Sequence, residues 1–168
     1  MARIDLQGSK IYIDPGHGGQ PNPDIPGAEL GTSGYHGFFV QEDGINEKDV
    51  NLSIALKLRD LLETVNANVR MSRTTDTAVS LFQRAREANN FGADLFVSIH
   101  NNAASDQDTN GTMVLYPPRG RIDGSRQLAH QMSRDISQKL GTRNIGGRKR
   151  DDLAVLNETT VPAILTEC

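Results

Sequence analysis

Apolar positions follow two rhythms in this chain, a strand-like one and a helix-like one, and they alternate. Lys10 to Asp14 (Lys-Ile-Tyr-Ile-Asp) is a β-rich run broken by Pro15-Gly16, which reads as a buried strand ending in a loop. From Glu47 the spacing changes. Val50, Ile54, Leu58, Leu61, Leu62 and Val65 fall three and four apart behind Asn46, a suitable N-cap, so a helix is expected there. Ala67 to Met71 reads as a short strand, and Ser80 with Gln83 forms a capping box opening a second helix through Arg84, Ala85 and Ala88. Asp94 to Ile99 is apolar on both faces, which suits a central strand of a parallel sheet, and His100 stands at its end. Thr112 to Tyr116 is a further strand closed by Pro117-Pro118. Leu128, Met132, Ile136 and Leu140 mark a third helix ended by Gly141. A short apolar run at Leu153 to Leu156 precedes a last strand, Pro162 to Glu167.

Strands alternating with helices predict a single α/β domain, residues 1–168, with a mostly parallel β-sheet flanked by helices. Residues 16 to 46 break the rhythm. They are rich in Gly, Pro and Asn, and a loop of that length in a compact domain is expected to border a site or cover one. With 36% hydrophobic and 23% charged residues the chain has the composition of a globular protein. The net charge of -3 leaves no basic excess to attract nucleic acid or anionic lipid. No apolar run approaches the roughly 20 residues of a membrane span. Cys168 is the single cysteine, so the fold cannot rest on an internal disulfide. The first residues lack the apolar stretch of an export signal. The chain is therefore either cytoplasmic or exported by a signal that these residues do not include.

In open α/β sheets ligands bind beyond the carboxyl ends of the strands. His17, His100 and Glu167 each end or follow a predicted strand at that edge, and Glu47 opens the first helix just after the long loop. Two neutral imidazoles and one carboxylate are a common ligand set for a catalytic zinc with an open position for water. A remaining carboxylate would serve as general base to that water and then as acid to a leaving nitrogen. Each residue also has a structural alternative: a carboxylate at a helix start favours the macrodipole, and Asp14-Pro-Gly-His-Gly-Gly can be only a glycine-rich turn.

Four blocks in order resemble the signature of the zinc-dependent N-acetylmuramoyl-L-alanine amidases: Ile13-Asp-Pro-Gly-His-Gly-Gly19, Glu47-Lys-Asp-Val-Asn-Leu52, Ala93-Asp-Leu-Phe-Val-Ser-Ile-His-Asn-Asn-Ala103 and Pro162-Ala-Ile-Leu-Thr-Glu-Cys168. The resemblance implies one Zn2+ held by His17, Glu47 and His100, with Glu167 as the catalytic carboxylate. It implies hydrolysis of the amide bond between N-acetylmuramic acid and L-alanine of peptidoglycan, and so a periplasmic or extracellular place of work. Peptidoglycan is the expected partner and the chain is expected to be a monomer. Members of the family normally continue past the final Glu-Cys with a Gly-Phe stretch and a closing helix.

Asn101 and Asn102 follow a proposed ligand and are candidates for orienting it or binding the substrate amide. Arg148-Lys-Arg150 offers guanidinium forks to stem-peptide carboxylates, although Asp151-Asp152 supply partners nearby. Cys168 should point away from the site if Glu167 faces it, because adjacent strand residues alternate. His36 falls in the long loop, and His130, off the apolar stripe of the third helix, is expected at the surface. Two other functions fit the same residues: a zinc peptidase acting on ordinary peptide termini, and a wall-binding module that keeps the fold without the chemistry.

Overall fold

A computed structural model describes residues 5–19, 46–101 and 110–168. Those residues form a six-stranded sheet and four α-helices. In chain order they are β1 (Lys10–Pro15), α1 (Glu47–Glu63), β2 (Asn68–Met71), α2 (Leu81–Phe91), β3 (Leu95–His100), β4 (Thr112–Tyr116), α3 (Ser125–Leu140), β5 (Asn144–Lys149), α4 (Ala154–Asn157) and β6 (Ala163–Glu167). The strand order is β2-β1-β3-β6-β4-β5. β2, β1, β3 and β6 are mutually parallel, β4 runs antiparallel to β6, and β5 is parallel to β4. The expected α/β architecture with a mostly parallel sheet is what forms.

Side chains leave a strand on alternate faces, and consecutive residues here feed two separate cores. Tyr12, Phe96, Leu115 and Leu165 pack with Ala88 and Phe91 of α2 and with Val155 and Leu156 of α4. Their neighbours Ile13, Val97, Val114 and Ile164 pack on the other face with Ala55 of α1 and Ala129 of α3. Each such apolar side chain contributes about 1.5–3 kcal/mol when fully buried. Both faces are covered, which explains the near-continuous apolar runs of β1, β3 and β6.

Several local expectations need correction. α1 buries Asn51 and Ala55, with Leu58 and Leu62 partly covered, whereas Ile54 and Leu61 of the expected stripe face solvent. Asn46 stands at the N-cap in an extended conformation, but its side chain makes no capping bond and donates to Asp49 Oδ2 instead. β5 was not foreseen from the sequence, because Asn-Ile-Gly-Gly-Arg-Lys has neither alternation nor apolar bulk. Its glycines are the adaptation to α3. A Cβ on Gly147 would lie 3.0 Å from the His130 ring. α3 turns the small residues Ser125, Ala129, Ser133 and Ser137 to the sheet, one position on from the expected stripe. Ser133 Oγ there donates to Thr112 O and accepts from Gly146 N. The capping box of α2 forms only by half: Ser80 accepts from Gln83 N, while the Gln83 side chain turns to Glu87.

Asp14, almost wholly buried near the end of β1, accepts from Arg84 Nη1 at 2.6 Å, Ser72 Oγ at 2.6 Å and Ser98 Oγ at 2.8 Å. Burial pushes its carboxyl up, yet the Arg84 charge and these hydrogen bonds outweigh that and hold it below the ordinary 3.8. Asp14→Asn leaves the Arg84 guanidinium buried without its anion. Urea unfolding should show a loss of about 3–5 kcal/mol, and a loss under about 1 kcal/mol would contradict this role. Because the folded pKa is depressed, the stabilisation is complete above the unfolded value of about 3.9. It disappears as pH falls through the folded one.

Candidate metal and catalytic site

β1 and β3 run parallel in register, with Pro15 beside Ile99, so the turn after β1 arrives at the end of β3 where His100 stands. Gly16 makes the approach possible: a Cβ there would lie 2.3 Å from Cε1 and Nε2 of the His100 ring. His17 then takes a left-handed conformation, φ 60°, which costs a non-glycine residue about 1–3 kcal/mol and persists only where its surroundings enforce it. The enforcement is visible. Arg84 Nη2 donates to His17 O at 2.7 Å and Nη1 to Pro15 O at 2.8 Å, while Arg73 donates to Pro15 O and Gly16 O. Burial lowers the pKa of Arg73 to about 10, with Arg84's charge adding to the effect. Gly18 and Gly19, both at positive φ, complete the turn.

Three donors meet at this edge. Glu47, the first residue of α1, places Oε2 3.1 Å from His17 Nε2 and Oε1 3.1 Å from His100 Nδ1. The two ring nitrogens are 3.1 Å apart. Burial pushes the Glu47 carboxyl up, but hydrogen bonds from His100 and His17 and their charges hold it well below the usual carboxylate range. His100 is shifted down, chiefly by burial, which favours the neutral ring that a metal ligand needs. Zinc bonds of about 2.0–2.1 Å to nitrogen and oxygen put the donors of a tetrahedral site roughly 3.3 Å apart. The observed spacings lie close to that edge, and two ring nitrogens and a carboxylate are gathered within 4.8 Å of one another. The residues fit a zinc ion.

Glu167 ends β6 directly beside His100 in the parallel register, but it is not one of the clustered donors. Burial and then the charge of Glu47 push its pKa up to about 7, with Arg150 opposing. Asn101 N donates to Glu47 Oε1 at 3.1 Å, and its side-chain amide donates to Asn51 Oδ1 at 2.7 Å. Asn51, fully buried, donates to Glu47 Oε1 and Gly16 O, so an asparagine network fixes the carboxylate from behind. Asn51 lies four residues after Glu47 on one helix face. The apolar stripe expected for α1 lay on another face, so only the spacing of Asn51 from Glu47 pointed to it. Arg73 and Arg84 gave no comparable signal.

Asn102, His36 and the expected loop from Gln20 through residue 45 lie outside the described residues. Arg150 forms a two-pronged pair with Asp152, both bonds at 2.7 Å, in keeping with a local partner. Cys168 is half-buried and is not among the clustered donors. His130 is not the surface residue expected. It is half-buried and accepts from Gly147 N at 3.2 Å, because β5 lies against that flank of α3.

Fold and cluster together define an α/β domain with a metal-competent site at the carboxyl edge of its sheet. The chain belongs to the N-acetylmuramoyl-L-alanine amidase family, whose sequence profile matches residues 11–168. It is 38% identical over 161 residues to the N-acetylmuramoyl-L-alanine amidase CwlM of Bacillus licheniformis, covering 94% of this chain and 55% of that protein. It is 36% identical over 162 residues to the probable cell wall amidase LytH of Staphylococcus aureus, covering 96% of this chain and 48% of that one. The chain thus spans about half the length of these relatives. Among solved structures it superposes on the N-acetylmuramoyl-L-alanine amidase of Clostridium difficile 630 with a TM-score of 0.80 and 36% identity, over 95% of this chain and 78% of that one. The catalytic domain of CwlV from Bacillus (Paenibacillus) polymyxa var. colistinus gives 0.78 and 30%, over 95% and 79%.

The closeness of Gly16 to His100 is testable by itself. Gly16→Ala should lower the free energy of unfolding by about 1–3 kcal/mol, the range for overpacking. Denaturant titration at neutral pH measures it, and wild-type stability would show that the turn can retreat from the ring.

Proposed function

We propose that the chain hydrolyses the amide bond between N-acetylmuramic acid and L-alanine of peptidoglycan, using one zinc held by His17, Glu47 and His100 and the carboxylate of Glu167. The observation that carries this is the convergence of those three donors, all within 4.8 Å of one another, with Glu167 beside them on the neighbouring strand. Substrate class rests on the family, whose members' names specify that amide and, for LytH, the cell wall. Peptidoglycan lies outside the cytoplasmic membrane, so the work is periplasmic or extracellular. No helix of the described residues is long and apolar enough to cross a membrane.

A bound zinc supplies a Lewis acid for the lactyl carbonyl and brings the pKa of a water toward 7. Glu167 takes the proton of the attacking water on a carboxylate oxygen and delivers it to the leaving alanine nitrogen. Burial and the Glu47 charge raise its pKa above the ordinary carboxylate range, which suits a group that both takes and returns a proton. Glu47 stays ionised behind its two imidazoles, and Asn51 and Asn101 keep its oxygens aimed. Asn101 keeps its side-chain oxygen for the substrate amide, and Asn102, the next residue in the chain, serves the same amide.

Zinc per chain and release of new amino termini from purified peptidoglycan should be measured together. Glu167→Gln is expected to retain the metal and lose about 10²- to 10⁴-fold in turnover. His17→Ala should lose metal and activity together. Metal-free wild-type protein that cannot be reloaded, or intact peptidoglycan after incubation with loaded protein, refutes the proposal. A Glu167→Gln chain without zinc would make Glu167 a ligand.

The pH dependence follows from the same carboxylate. Protonated Glu167 cannot accept a proton, so kcat/KM of the zinc-loaded enzyme should fall on the acid side, at a pH below the metal-free carboxyl's pKa of about 7, because the zinc charge favours the carboxylate. A rate constant that stays level down to pH ~5 would remove Glu167 from the role of base.

A further inference from the structure

His100 is fixed by the sheet itself, but the other two donors are not on strands. His17 follows β1 by two residues and Glu47 is the first residue of a helix. Their separation must be set by something that touches both segments. The residues between β2 and α2 do so twice. Arg73, 4% exposed, uses one nitrogen, Nη2, to donate both to Gly16 O at 2.9 Å and to Lys48 O at 2.8 Å. Each of those carbonyls belongs to the residue next to a donor. Its Nε and Nη1 hold Pro15 O and Thr75 O, at 3.0 and 3.1 Å. Three residues on, Asp76 repeats the span: Oδ1 accepts from Gly19 N at 2.6 Å and Oδ2 pairs with Lys48 Nζ at 2.6 Å.

We infer that Arg73, assisted by Asp76, is a positioning residue of the metal centre, setting the distance between His17 and Glu47 and thereby the affinity for zinc. The inference rests on the zinc site proposed above. The fork geometry is essential. A planar guanidinium directs donors in several fixed directions at once, whereas a lysine ammonium is a single point charge on a flexible stem. Groups that orient the ligands of a metal site typically change metal affinity by about 10- to 100-fold when removed.

The test is zinc affinity, measured by competition with a chromophoric chelator, on the wild-type chain, Arg73→Lys, Asp76→Asn and Ile164→Val. Ile164 is a core residue away from these contacts, and its variant controls for loss of stability alone. Arg73→Lys should bind zinc about 10- to 100-fold more weakly. Asp76→Asn, at a position partly open to solvent, should be weaker by up to roughly tenfold. Ile164→Val should melt earlier and bind zinc like wild type. With cobalt in place of zinc, the visible spectrum of Arg73→Lys should differ from that of wild type, because the donors no longer hold the same geometry. If Arg73→Lys does not fold, the Asp76→Asn affinity alone decides. Wild-type affinity and spectrum in both variants overturn the inference and leave the zinc site standing. Failure of the wild-type chain to bind zinc overturns both.

Discussion

The hydrogen bonds from Arg73 and Arg84 to the carbonyls of Pro15, Gly16 and His17 are the constraint on which the rest of the site depends. A turn that carries a left-handed histidine and lets Gly16 touch the His100 ring is not a conformation the backbone would choose alone. Two buried guanidiniums supply more donors than the single buried carboxylate of Asp14 can absorb, and the surplus goes to main-chain oxygens. The charges are thereby satisfied and the turn is held at the sheet edge. Without that clasp, His17 would hang from a glycine-rich loop.

The sheet does the remaining placement. Parallel pairing of β1, β3 and β6 brings Pro15, His100 and Glu167 to one edge, and the register sets Glu167 beside His100. α1 brings Glu47 to the same edge because its buried face, Asn51 and Ala55, packs over these strands. The two carboxylates thus differ in environment. Glu47 has two imidazoles and stays ionised, while Glu167 has little but burial and a negative neighbour, which raise its pKa. One is fit to hold a cation, the other to move a proton.

Much of this was legible in the residues. β1, β3, β4 and β6 were expected from apolar runs bounded by Gly and Pro; the positions of His17, His100 and Glu167 followed from where such runs end, and that of Glu47 from where the helical spacing begins. Periodicity misplaced the faces of α1 and α3, because small residues such as Ala55, Ala129 and Ser133 carry the close packing while bulky Ile54 and Leu61 face solvent. β5 was illegible because its packing uses the absence of side chains at Gly146 and Gly147. Arg73 and the role of Arg84 went unmarked, since burial of a guanidinium depends on carbonyls contributed by distant segments.

The account turns on a single centre built from two imidazoles and one carboxylate. X-ray absorption at the zinc edge on the loaded, unaltered chain tests this most directly. The expected first shell is nitrogen and oxygen only, at about 2.0–2.1 Å, with the multiple scattering of two imidazole rings. A sulfur at about 2.3 Å, which only Cys168 or a methionine can supply, or a shell without two imidazoles, would contradict it.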